Sequence, residues 1–277
     1  MVRPAVERRI AVVMTCHNRR GTTVRCLQAL KGQHLDSTAL TLFLTDDGST
    51  DGTGAAVKGL WPSATILTGT GELYWAAGMA LAETAALSTR PDYLLWLNDD
   101  TVLLPEAVQS LLSLSSRIPD AIIVGACSDP ETGCLTYGGR LRVDYHPQRF
   151  KPLPLSEVPQ SADSFHGNVV LIPIEVHDRV GNIDGEFPHA YADDDYGLRA
   201  KRVGVRILQA PGLAAHCSRH EERPPEARTL RERWRHLQSP KGLPWRAQVR
   251  YLRRHGDWRW PVIFVVQQLR WLFGVWA

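Results

Sequence analysis

YLLWLNDDT, residues 93–101, decides how this chain is read. Five large apolar residues without polar alternation form a strand buried on both faces, and such strands belong to parallel sheets covered by helices. The run ends abruptly in Asn98, Asp99 and Asp100. The carboxyl end of a parallel strand is where open α/β sheets bind ligands. Hard cations such as Mg2+ and Mn2+ prefer carboxylate oxygens, and one or two acids suffice to join an ion to a substrate diphosphate. The same acids also suit a solvated loop, or the cap of a helix starting near Pro105.

Working outward, IAVVMT (10–15), LTLFLT (40–45) and residues 64–67 read as buried strands upstream, and residues 121–125 as one downstream. Between them, a helical pattern runs through Val24, Leu27 and Leu30. GELYWAAGMALAETAAL (71–87) reads as a glycine-containing turn and a helix, and a further helix covers about Pro105 to Leu114. Strand, loop and helix repeated in this way mean βαβ units, so the predicted class is α/β with a mostly parallel sheet flanked by helices. Three strand ends carry polar clusters, Thr15–Asn18, Asp46–Asp51 and Asn98–Thr101, which are expected to meet at one edge of that sheet. The second half is less regular. Residues 126–165 are rich in Gly, Pro and Ser, FHGNVVLIP (165–173) is a strand candidate, and a helix is predicted from Asp195 to Val203.

The 277 residues suffice for one large α/β domain, alone or with an appendage, and 44% hydrophobic against 22% charged content excludes general disorder. Charge is uneven. From Arg219 onward there are 13 Lys and Arg against 5 Asp and Glu, which leaves 19 against 24 elsewhere. A basic tail on an acidic body suits an anionic lipid or carrier surface, and no nucleic-acid motif accompanies it. The tail ends in RWPVIFVVQQLRWLFGVWA (259–277), which reads either as a helix lying in a membrane interface or as a helical pair packed on the domain. Cys16, Cys26, Cys127, Cys134 and Cys217 are odd in number and scattered, as expected of reduced thiols in the cytoplasm. No apolar run reaches the ~18–20 residues of a spanning helix, and the amino-terminal run is too short for a signal peptide.

Further residues have chemistry to offer. Asp46 and Asp47 can accept hydrogen bonds from a base or a ribose, or can cap local turns. Asp193 and Asp194 precede the predicted helix and Asp195 opens it, where one carboxylate can serve as a general base and crowding can raise a neighbour's pKa. His216 follows a strand-like VRILQAPGLAA (205–215), and neutral imidazole is a common metal ligand. His166, His189 and His220 carry no pattern.

Taken in order, VVMTCHNR (12–19), FLTDDGSTDGT (43–53), LYWAAGM (73–79), YLLWLNDDT, YGG (137–139), FHGNVVLIP, VGNIDGEFPHAYADDDYGLRAKRVG (180–204) and the His216 region resemble the family 2 glycosyltransferases. The ADDDYGLRA stretch is most similar to the bacterial galactofuranosyltransferases, with the rhamnosyltransferases nearby. The resemblance implies a Rossmann-like GT-A fold over residues 1–220. About 1–120 would form the nucleotide-binding half and 121–220 the acceptor and catalytic half, with 221–277 a helical, basic extension. It implies an inverting, metal-dependent transfer from a UDP- or dTDP-sugar to a glycan, glycolipid or small-molecule hydroxyl, in the cytoplasm or peripherally on the inner face of the membrane.

Position by position, the resemblance gives Thr15 and His17 to the nucleoside, and Asp46 and Asp47 to the base and ribose. Asn98-Asp99-Asp100 stands at the DxD motif. Asp100 and His216 would hold a divalent ion, Mn2+ or Mg2+. Asn98 replaces the relatives' Asp and leaves Asp99 as a candidate ribose contact. Asp193 matches the base, with Ala192 where the family has an acid. Tyr74, Trp75 and Met79 fall near the donor sugar, although Trp75 also suits a core position. Asp195 and Arg199 match an acid and an Arg of the same motif. A nucleotidyltransferase would show a Gly-rich phosphate loop where this chain has TCHNRRG. An inactive partner subunit would have lost the acids that are present here.

Overall fold

The computed structural model describes residues 8–144, 146–188, 191–219, 229–240, 242 and 244–273. The amino-terminal half runs β1 (Arg8–Cys16), α1 (Arg20–Lys31), β2 (Thr38–Asp46), α2 (Thr53–Leu60), β3 (Thr65–Thr68), α3 (Tyr74–Leu87) and β4 (Tyr93–Leu97). Next come β5 (Val102–Leu103), α4 (Ala107–Arg117), β6 (Ala121–Val124), β7 (Cys127–Ser128), β8 (Leu135–Tyr137), β9 (Gly139–Arg142), β10 (Phe150–Pro152), β11 (Gln160–Ser161) and β12 (Ser164–Phe165). β13 (Val169–Pro173), α5 (Ile174–Val180), α6 (Ala192–Arg202), β14 (Arg206–Gln209) and β15 (Ala215–His216) complete that region. α7 (Leu230–Leu237), α8 (Trp245–His255) and α9 (Trp260–Phe273) follow.

Eight strands form the central sheet in the order β11-β14-β6-β13-β4-β1-β2-β3. β1 pairs in parallel with both β2 and β4, and β14 with β6. β13 is antiparallel to its neighbours β4 and β6. The α/β, mostly parallel sheet expected from the sequence is therefore present. Its strands are apolar throughout because both faces are covered. Ile10, Val12 and Met14 of β1 enter one core with Leu27, Leu30 and Leu111. The alternate residues Ala11 and Val13 enter the other with Ala76, Met79, Trp96 and Tyr196.

Three expectations shift. FHGNVVLIP is two strands, β12 and β13, interrupted at residues 166–168. α4 starts at Ala107, two residues after Pro105. α6 starts at Ala192, so Asp193, Asp194 and Asp195 lie within its first turn and do not precede it. Three acids beside the amino-terminal N–H groups, which have no partner within the helix backbone, and the positive end of the helix dipole favour that earlier start.

Chain order reverses at β1, with β2 on one side and β4 on the other, and this is the crevice in which doubly wound sheets bind ligands. A four-stranded sheet, β5-β15-β7-β8, packs beside it and sets His216 opposite Val102 and Ser128. The carboxyl-terminal helices meet the domain through α8, whose Ala247, Tyr251 and Leu252 are buried in the core of Trp96 and Tyr196. The tail residues 220–228 and 274–277, with Trp276, and His189 and His220, lie outside the described residues. No helix among the described residues is long and apolar enough to cross a membrane.

Candidate active site

Thr15, half-buried near the end of β1, lies under α3. A Cβ at Gly78 would collide with its hydroxyl, so glycine is what allows the helix this close. Thr45 of β2 seals the same contact by donating to Gly78 O (2.7 Å). One turn later, His17 Nδ1 meets Asp47 O at 2.5 Å, and Asn18 binds Ser49 and Thr50 through its backbone N–H and its side chain. The ends of β1 and β2 are thus tied into one rim. His17 is exposed at that rim, and Asp46 is half-buried with Oδ1 accepting from Ser49 N (2.9 Å).

Asp47 is used differently. Its carboxylate accepts the backbone N–H groups of Gly71 (2.7 Å), Leu73 (2.9 Å) and Tyr74 (3.0 Å), and the residue is 3% exposed. The acid therefore builds the loop that opens α3. It also holds Tyr74 at φ 55, a left-handed conformation worth on the order of 1–3 kcal/mol of strain.

At the end of β4, Asp99 and Asp100 share one counter-ion. Arg19 Nη1 donates to Asp99 (2.8 Å) and to Asp100 (2.9 Å). Burial pushes the Asp99 carboxyl up to about 6, although Arg19 opposes the shift. Cys217 donates its thiol to Asp100 Oδ1 (3.4 Å), and its sulfur accepts from Asn168 Nδ2 (3.5 Å). His216, the neighbouring residue, is half-buried and bonded through Nδ1 to Ser128 Oγ (3.2 Å). Among the described residues, no three His, Cys, Asp or Glu side chains gather into a set that could hold a metal unaided.

From the acids, contacts run on to α6. Asn98 donates its backbone N–H to Asn168 O (3.1 Å) and accepts from Trp75 Nε1 (2.7 Å). Trp75 is half-buried. Its ring lies edge-on to Trp96 and so close to Gly167 that a Cβ there would stand 2.5 Å away. Gly167 N donates to Asp193 Oδ2 (3.3 Å), and Asp194 N to Oδ1 (2.8 Å). Asp193 therefore sits at the amino end of α6, joined to the Asp99–Asp100 pair through Gly167, Trp75 and Asn98. Asp194 turns away into an ion pair with Arg140 and a bond from Ser164 Oγ (2.8 Å). Burial pushes its carboxyl up, against the pull of Arg140.

Residues 11–180, more than half of the sequence, match the family described as Glycosyl transferase family 2. The chain belongs to glycosyl transferase family 2. Its fold is GT-A, as in two solved glycosyltransferases. One is the mannosyltransferase PcManGT from Pyrobaculum calidifontis in complex with GDP-Man and Mn2+ (16% identity, TM-score 0.57). The other is GalNAc-T7 with UDP, GalNAc and Mn2+ (14% identity, TM-score 0.60). The matches cover 90% and 79% of this chain, which spans 66% and 45% of the two relatives' own chains. Comparison with curated proteins returns no match.

This family 2 glycosyltransferase has site residues that sequence reasoning passed over. Arg19 lies inside VVMTCHNR without a role assigned, and nothing local signals that it reaches acids 80 and 81 residues away. Cys217 and Asn168 arrive from separate sheets. Gly167 falls both in the strand candidate 165–173 and in a loop, 165–168, whose shape bears on the donor sugar, and nothing in the sequence ties it to Asp193.

Proposed function

We propose that this glycosyltransferase moves a sugar from a UDP- or dTDP-sugar to an acceptor hydroxyl by a single inverting displacement. The observation that carries the reading is the chain of contacts that joins Asp193 to the Asp99–Asp100 strand end through Gly167, Trp75 and Asn98. The solved relatives were obtained with GDP-Man or UDP, and with Mn2+, which supports a nucleoside diphosphate and a divalent ion here.

The residues fit such an ion. Two adjacent carboxylates at a strand end, with Asp100 and His216 as the proposed ligands, offer hard oxygen and imidazole donors, and a bound diphosphate would supply the rest. When bound, the ion offsets charge on the departing diphosphate. Arg19 already pairs with both acids in the free protein. His17, Asp46 and Asn98 line the rim offered to base and ribose, with Thr15 and Asp47 holding that rim in shape. Trp75, half-buried against Gly167 and Asn98, is the proposed neighbour of the donor sugar. Asp193, held by two backbone N–H groups, takes the proton from the acceptor hydroxyl as that oxygen attacks the anomeric carbon. One base and no second carboxylate acting as nucleophile give inversion, which the anomeric configuration of the product tests by NMR.

The acceptor proposed is a glycan or glycolipid of the cell envelope, reached at the cytoplasmic face of a membrane. Val262, Val265, Val266, Leu269 and Phe273 form one exposed apolar stripe on α9, and Trp258 before it is 85% exposed. An anionic lipid surface is the occupant because exposed Arg270 lies on the same helix and the neighbouring α8 carries exposed Arg246 and Arg253. A second copy would bring two such basic surfaces together. Cosedimentation with anionic vesicles is the test of this part.

A thermal-shift panel of UDP, dTDP, GDP and CMP, each with Mn2+ and with EDTA, tests the main reading. A ligand of the native state raises the melting temperature by mass action. A Mn2+-dependent rise with UDP or dTDP is expected. No shift with any of the four nucleotides would overturn the proposal.

A further inference from the structure

The geometry points to α8 as the element that sets the position of Asp193, with Tyr251, Arg254 and His255 as positioning residues. The inference rests on the reading of Asp193 as the base. It extends that reading to a helix outside the span that matches the family.

α6 opens immediately after Tyr191, a bulky residue at φ 78. Such a conformation persists only where surrounding contacts impose it. The Tyr191 ring stacks on Tyr251 of α8, with centroids 4.7 Å apart and planes 28° apart. Its hydroxyl accepts from Gln148 Nε2 (2.9 Å). Two residues beyond the base, Asp195 is fully buried. It accepts from Arg199 Nε of its own helix (2.8 Å), and from Arg254 Nη1 (2.6 Å) and His255 Nε2 (2.7 Å) of α8. α8 therefore grips the chain two residues before Asp193 and two residues after it.

α8 is itself anchored. Tyr251 Oη donates to Pro147 O (2.7 Å), and Arg250 pairs with Asp184 (2.9 Å) and Glu186 (2.6 Å). A buried carboxylate with three donors cannot shift without leaving charge uncompensated, so Asp195 is a fixed point. Between the two grips, Asp193 has its backbone direction decided. Its carboxylate then needs only the Gly167 and Asp194 N–H groups to face the crevice.

The experiment is hydrogen–deuterium exchange on the full chain, paired with nucleoside diphosphate release from UDP-galactose, UDP-glucose and dTDP-rhamnose. Tyr251→Leu and His255→Gln are expected to speed exchange at residues 165–168 and 191–196 by about tenfold or more, with β1 and β4 unchanged. Tyr251→Phe keeps the stack, loses only the bond to Pro147 O, and is expected to speed exchange there far less than Tyr251→Leu. Arg250→Gln removes one anchor of α8 but neither grip, and is expected to speed exchange at residues 191–196 less than Tyr251→Leu or His255→Gln. In turnover, kcat is expected to fall by about tenfold with KM for the nucleotide sugar nearly unchanged, the pattern of a misplaced catalytic group. Parent-like exchange at 165–168 and 191–196 in both Tyr251→Leu and His255→Gln overturns the inference. Should Tyr251→Leu unfold as a whole, His255→Gln carries the decision. Asp193→Asn separates the two claims. Retained turnover in Asp193→Asn sinks the base reading. Lost turnover there beside full kcat in Tyr251→Leu sinks the positioning role alone.

Discussion

At Asp47 a single carboxylate satisfies three backbone N–H groups that no helix or strand would satisfy. Asp47→Ala leaves these donors buried without an acceptor. Charge-assisted bonds of this kind contribute roughly 1.5–3 kcal/mol each, and the loop recovers part of the loss by admitting water, so a destabilisation of about 3–5 kcal/mol is expected. Urea denaturation measures it, and a loss below about 1 kcal/mol would show that the loop stands without the acid. The sequence displayed DDGSTDGT as a turn cluster offering carboxylates to a ligand. It could not reveal that one of them is already engaged by a segment 24 to 27 residues later. The same holds for Arg19 on Asp99 and Asp100. Polar clusters at strand ends are legible because composition changes sharply there. Which member bonds to protein depends on distances that only folding sets.

At the scale of elements, α6 carries a prediction in acid. Burial alone would raise the Asp195 carboxyl, but bonds from His255, Arg199 and Arg254 outweigh it and bring the group to about 2, against 3.8 for a free Asp. A carboxyl with a lowered folded-state pKa stabilises fully above its unfolded value. That stability is lost as pH falls from about 4 toward 2, and amounts to about 2 kcal/mol. Urea midpoints at pH 5 and pH 3 test this. The parent should lose more stability between them than Asp195→Asn, and equal losses would refute the assignment. The acids of ADDDYGLRA were readable as a helix start, and the boundary moved three residues because the first turn accommodates them. α8 was readable as helical and basic. Its grip on Tyr191 and Asp195 was not, since Tyr251 and His255 lie 60 residues from their partners in sequence.

For the whole molecule, charge and apolar exposure coincide at the carboxyl-terminal end. The tail from Arg219 has eight more basic than acidic residues, and the body has five more acidic than basic. On the proposed membrane role, an anionic surface would attract such a tail by about 1 kcal/mol per Arg near the lipid, and the α9 stripe would insert. Cosedimentation with vesicles containing phosphatidylserine is expected to exceed that with neutral vesicles and to fall as salt rises toward 0.5 M. Val265→Glu with Val266→Glu should abolish it without changing the melting temperature. Equal recovery in the supernatant with both vesicle types would dismiss the membrane role.

By itself, the sequence determined the class of sheet, the order of its strands along the chain, and the edge to which polar residues are delivered. These follow from local rules: unalternating apolar runs demand cover on both faces, and side-chain polarity changes where a strand leaves the core. The tertiary structure decided which acids are held by Arg19, Arg140 or backbone amides, and that α8 belongs to the architecture around Asp193. Those outcomes depend on residues far apart in sequence reaching hydrogen-bonding distance. Burial then raises the energetic stakes of every unpaired charge, so the assembled fold chooses among partners that look equivalent along the chain.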